Sequence, residues 1–241
     1  MNVDRNKWFP NQLVDGDPQE CVAITICDIV GNIDGRQYDP DFTYAMTLRL
    51  EGVTPTTAGS DPLVGMESAV GFGLLPISLE DFSSKTMGEQ YVANWQNYST
   101  EDQKAALQYV QNGIKTIGKD FDGIANYLEK YQAGVSMPMK WYESFNNPTQ
   151  GVLSFVSGAN SIHNVAVYDA GPQGLLIKPW LGDNYGVGGY AWMPRTIFDQ
   201  VVLTSYGFDP NAWRWISILG IIARRYPAFL SYLPAIIAKS V

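Results

Sequence analysis

One histidine, His163, and two cysteines, Cys21 and Cys27, make up the whole stock of imidazole and thiol in 241 residues. Acid–base chemistry near neutral pH that uses an imidazole must therefore use His163. Its natural partner is a thiol, because a neighbouring base takes the proton and leaves a thiolate that attacks carbonyl carbon. Cys21 is the candidate nucleophile. Asp15-Gly16-Asp17-Pro18 reads as a turn ending in a cap, and Val22, Ile26, Ile29 and Val30 recur at helical spacing, so a helix runs from about Gln19 to Asn32. Cys21 then falls in the first turn, where free N–H groups and the positive helix end favour a thiolate. Cys27 lies deeper in the same helix and reads as packing. Two cysteines six apart on one helix cannot meet disulfide geometry. The chain is therefore expected to work without disulfides, in a cytoplasmic or otherwise non-secretory setting.

The elements that must carry Cys21 to His163 are helices first and strands second. Further helices are expected over 40–52, over 62–72 ending at Gly73, over 101–111 behind Ser99-Thr100, and over Asp120 to Lys130. Residues 77–100 are polar and irregular. After Gly134 come short apolar runs between Gly, Pro and Asn: Val135 to Met139, Gly151 to Val156, His163 to Asp169, Gly174 to Lys178 and Gly189 to Met193. These read as strands of an antiparallel sheet or barrel. The class is α+β with two lobes, a helical lobe over about 12–100 and a β lobe over about 101–206.

Composition narrows the functions. Apolar residues at 46% supply a sizeable core, and a net charge of −8 argues against nucleic acid, which demands a Lys/Arg surface. The charge is uneven: residues 207–241 carry Arg214, Arg224, Arg225 and Lys239 against Asp209. This tail reads as two short, broken apolar helices, folded against the body or docking to a protein partner, to itself or to an anionic membrane surface. No apolar run approaches the roughly 20 residues of a span, and the charged N-terminus has no signal-peptide core.

Four stretches carry a family pattern. Asn11-Gln12 is followed by Cys21-Val22-Ala23 at a helix start. Gly59-Ser60-Asp61-Pro62 precedes a helix ending Phe72-Gly73. Val135 to Phe145 includes Trp141-Tyr142-Glu143-Ser144-Phe145. His163-Asn164-Val165-Ala166-Val167 is followed by Leu176-Ile177-Lys178-Pro179-Trp180-Leu181-Gly182 and Tyr185-Gly186-Val187-Gly188-Gly189-Tyr190. In order and spacing, over roughly residues 8–205, these resemble the papain-like cysteine peptidases. The resemblance implies a helical lobe bearing Cys21, a β-barrel lobe bearing His163 and a cleft between them. It implies peptide hydrolysis through a Cys21–His163 dyad and an acyl-enzyme, with the Cys21 N–H and the Gln12 amide holding the oxyanion. Gly59 and Ser60 would pair with the substrate backbone. No cofactor and no metal is expected, and the partner is a peptide or protein substrate.

The chain departs from the family at three places. Pro179 stands where the family has the asparagine that orients the histidine ring, and proline has no side-chain acceptor. The Gln12–Cys21 loop is long and ends in Glu20, a neighbour that raises a thiol pKa. Val22 replaces a tryptophan. Two classes of function therefore stay open: a cysteine peptidase, and a catalytically inactive papain-fold binding or structural protein that forms part of a larger assembly.

Overall fold

A computed structural model of the protein describes residues 20–53, 59–77, 95–212 and 221. Gln12, the expected Asp17-Pro18 cap and most of the tail lie outside these residues.

Helix α1 spans Cys21–Asp34 and ends where Gly35 turns left-handed, at φ 75°. Its first eleven residues, Cys21 to Gly31, are all buried. The next two helices share one start signal, an Asp cap followed by Pro. In α2, Pro40–Glu51, the Asp39 carboxylate accepts from the Asp41 and Phe42 N–H groups. In α3, Pro62–Gly71, Asp61 does the same for Leu63 and Val64. Helix α3 lies hard against α1 at Gly65, where any Cβ would come within 2.5 Å of Val22 Cγ1. Helix α4, Thr100–Ala106, opens on a reciprocal Ser99–Asp102 capping box. It is shorter than the spacing predicts, because Leu107–Tyr109 tightens into a 3-10 turn. Helix α5, Phe121–Tyr131, is capped by Asp120, and α6, Arg195–Val201, was not expected.

The strands are β1 (Ile114–Thr116), β2 (Val135–Tyr142), β3 (Asn160–Gly171), β4 (Gly174–Lys178), β5 (Ala191–Met193) and β6 (Tyr206–Phe208). They form one antiparallel sheet in the order β1-β6-β2-β3-β4-β5. The α+β class with helical and β parts holds. The β-barrel expectation is corrected: the sheet is open among the described residues, because the three-residue edge strands β1 and β5 do not pair with one another. The expected strand over 151–156 does not form either. Its chain makes only short bridges, Leu153 N–H to Trp192 O at 2.9 Å and Trp192 N–H to Gly151 O at 2.7 Å, before Phe155 leaves for the surface at 57% exposure. The sheet takes in Gly207 and Phe208, beyond the expected boundary at 206, and Tyr127 Oη donates to Phe208 O at 2.6 Å.

Two main cores result. Alternation along β3 sends Val165 and Val167 into the β-lobe core with Met137, Met139 and Ile177. Ala166 joins the core around α1, with Trp180, Phe208 and Ile221 from the tail. Strand β3 is thus the wall between the lobes. Among the described residues no helix is long and apolar enough to cross a membrane.

Candidate active site

Cys21 is the first residue of α1, with Glu20 as an N-cap that makes no side-chain cap bond. Its thiol lies against the backbone N–H of Asn164, the residue after His163 on β3. The fold therefore brings the Cys21 thiol to the backbone next to His163, a residue 142 positions away in sequence. Burial pushes the Cys21 thiol above its ordinary pKa, while the N–H groups of Asn164, Val22 and Cys21 pull it back down. Burial leads, so the helix end does not make this thiol acidic in the ligand-free state.

His163 pairs with Met139 across β2 and β3, and the edge of its ring packs against Trp141, with centroids 5.3 Å apart and planes at 73°. Trp141 is itself fixed by Nε1–H donation to Asn146 Oδ1 at 2.8 Å. The far nitrogen of the imidazole, Nε2, is 2.8 Å from the Pro179 carbonyl oxygen. A carbonyl only accepts, so Nε2 carries the proton and the neutral ring leaves its Nδ1 lone pair free. The missing asparagine side chain is thus replaced by the backbone of the residue that took its place. Burial lowers the His163 pKa, and the Pro179 bond raises it in part. Thiol and imidazole are both neutral near pH 7, and among the described residues no hydrogen bond joins them directly.

Four polar residues of α1, Cys21, Thr25, Asp28 and Asn32, fall on one face at helical spacing. All four meet β3 or β4. Thr25 Oγ1 donates to Asn164 O at 3.3 Å and accepts from Trp180 Nε1–H at 3.2 Å. Asp28 forms an ion pair with Lys178 at 3.6 Å, long for a hydrogen bond, and accepts from the Tyr168 hydroxyl. Asn32 Nδ2 donates to Tyr168 Oη at 3.0 Å. The Lys178 ammonium also stands 4.2 Å above the Trp180 ring. Burial raises the Asp28 carboxyl to about 6 and lowers the Lys178 pKa, so desolvation outweighs mutual attraction on both sides. Trp180, between these anchors, holds a left-handed φ of 64°, an unfavourable conformation for a bulky residue.

Gly59 and Ser60 stand directly before the Asp61 cap of α3, whose Gly65 packs on Val22 beside Cys21. The Ser60 hydroxyl is buried and unbonded, and among the described residues no hydrogen bond links Gly59 or Ser60 to Cys21 or His163. Gln12 lies outside the described residues. A cavity of about 350 Å³, lined in part by Asn32, Glu129, Gln132 and Tyr168, opens at the other end of α1, away from the Cys21–His163 pair. The sequence reading missed Thr25, Asp28, Lys178 and the shielding Trp141. The signal for the first two was a polar stripe on an otherwise apolar helix.

This architecture, an α1 helix bearing a cysteine packed on a sheet bearing a histidine, is the papain-like cysteine protease fold. The chain is similar in structure to xylellain, a cysteine protease from Xylella fastidiosa, with a TM-score of 0.66 and 16% identity over 79% of each chain. It is also similar to the Carica candamarcensis cysteine protease CMS1MS2 in complex with E-64, with a TM-score of 0.63 and 15% identity over 88% of this chain and 98% of that one. No protein-family description matches the sequence, and no curated protein matches it. The likeness is one of fold, at identities far below those at which side chains carry over.

Proposed function

We propose that the chain is a cysteine peptidase that hydrolyses peptide bonds of a peptide or protein substrate. The observation that carries this reading is the Nε2–H to Pro179 carbonyl bond, which leaves Nδ1 unprotonated on the residue whose chain neighbour, Asn164, meets the Cys21 thiol. In the reaction, Nδ1 takes the Cys21 proton as substrate enters, and the thiolate attacks the scissile carbonyl carbon. The oxyanion accepts from the Cys21 N–H, a donor of the first helical turn, and from the Gln12 side chain. Nδ1–H then protonates the leaving nitrogen. Water attacks the thioester, gives its proton to Nδ1 and releases the acid, and the proton returns to the thiol. Gly59 and Ser60 pair with the substrate backbone. The site needs no metal or cofactor for these steps.

An epoxide thiol probe at pH 7 tests the proposal. Cys21 is expected to be alkylated selectively, on the order of 100-fold or more faster than in His163→Ala, the usual range for a positioned base. Cleavage of a peptide library by the same preparation then reports the bond.

A second reading, a papain-fold binding protein without catalysis, is favoured by a neutral thiol and a neutral imidazole that, among the described residues, share no hydrogen bond. Labelling of Cys21 at the rate of a free thiol, unchanged in His163→Ala, would select it over the first.

A further inference from the structure

The Pro179 carbonyl cannot be steered by a side chain of its own. Its direction is set by the backbone on either side, and both neighbours are anchored to α1. Lys178, before it, pairs with Asp28 at 3.6 Å. Trp180, after it, donates to Thr25 Oγ1 at 3.2 Å while holding a left-handed φ of 64°. Strain at Trp180 disfavours this turn, so something must hold it. Lys178 lies level with Ala166 in the β3–β4 register, and both face α1. The Lys178 ammonium also caps the Trp180 ring at 4.2 Å and the Tyr190 ring at 5.6 Å. Asp28 is held in turn by Tyr168, whose hydroxyl accepts from Asn32 at 3.0 Å. The charged pair is 8% and 0% exposed at its side chains. Burying such a pair seldom adds stability over an apolar pair of the same shape, which points to a role in geometry.

We propose that Asp28 and Lys178 are positioning residues for His163: their ion pair ties β4 to α1 and so keeps the Pro179 carbonyl on His163 Nε2. They touch neither substrate nor reacting atoms. The inference deepens the peptidase reading, on which its catalytic meaning rests, but its structural content can be read without any activity.

The chain's single histidine makes the readout direct, because a long-range ¹H–¹⁵N spectrum of the whole protein contains one imidazole. Wild-type protein is expected to show the Nε2–H tautomer alone. In Asp28→Asn, which keeps the shape and removes the charge, the Nδ1–H tautomer is expected to rise at least tenfold, with the fold retained by circular dichroism. Lys178→Met is expected to act likewise, and Lys178→Arg to restore the wild-type tautomer. Should Lys178→Met fail to fold, Asp28→Asn decides alone. An unchanged tautomer in folded Asp28→Asn overturns the proposal, even where Cys21 still reacts with the epoxide. A scrambled tautomer supports it, even where wild-type Cys21 proves unreactive. In an active enzyme, Asp28→Asn is expected to lower kcat about tenfold with KM within twofold, with kcat counted per active site titrated by the epoxide so that unfolded protein does not enter the value.

Discussion

At the Cys21 end of the interface between α1 and β3, the reactive groups are met by backbone: the Asn164 N–H on the thiol and the Pro179 carbonyl on the imidazole. At the Asn32 end, about 16 Å further along the helix, side chains do the work: Asp28, Lys178, Tyr168 and Asn32 bond one another across the same two lobes. The first end has mobile protons and, in Glu20, a single buried carboxylate rather than a charged network. The second has fixed charge and no nucleophile. On the proposed peptidase reading, the chemistry falls at one end and the rigidity at the other, with Thr25 and Trp180 as the link between them. The contrast also explains why two cysteines on one helix differ. Cys27 is fully buried beside the Thr43 hydroxyl, and burial drives its pKa well up.

The largest effect expected from breaking this division is at Cys21. Cys21→Ala should abolish epoxide labelling of the chain, whereas Cys27→Ser should leave it intact, as intact-mass spectrometry will show. Next comes the acid–base partner: His163→Gln should slow labelling by two orders of magnitude or more. A smaller effect, on stability, separates the charged end. Asp28 holds its proton up to about pH 6 when folded, against 3.8 for the free group, so the folded state binds more protons between those values. Its contribution is therefore full below about pH 4 and is lost as pH rises through 6. Relative to wild type, Asp28→Asn should gain stability over that window, by at most about 3 kcal/mol, in urea melts at pH 4 and pH 7. Thr25→Val removes two hydrogen bonds at the link and should cost about 1–2 kcal/mol in the same melts. The smallest change is expected where the family pattern is restored. Pro179→Asn should alter the labelling rate less than about threefold, since the backbone acceptor already serves the ring.

Local signals foretold the helices well. Asp39-Pro40, Asp61-Pro62, Ser99 and Asp120 each opened a helix because a short polar side chain caps N–H groups wherever it falls, independent of tertiary context. Strands were harder. Residues 151–156 have strand composition but were drawn off by Ser144, which donates from Oγ to Phe155 O at 3.0 Å and accepts from the Ser157 N–H at 3.1 Å. Strands β1 and β6, three residues each, are held by pairing with each other and, for β6, with β2, and no sequence run that short announces itself. At the site, the sequence revealed the pairing of Cys21 with the His163 strand but not what holds the ring. Every residue has a carbonyl, so an acceptor supplied by backbone leaves no mark in the letters. Acidity failed for a similar reason: position at a helix start is readable, whereas burial of the thiol depends on the whole packed interface.

The Pro179 carbonyl has a consequence for how the site tolerates mutation. A triad built from three side chains presents three codons at which one base change can disable it. Here the third partner is common to all twenty residues, so a full substitution scan should find position 179 nearly flat while positions 21 and 163 accept nothing. Sensitivity moves instead to Lys178 and Trp180, the residues that aim the carbonyl.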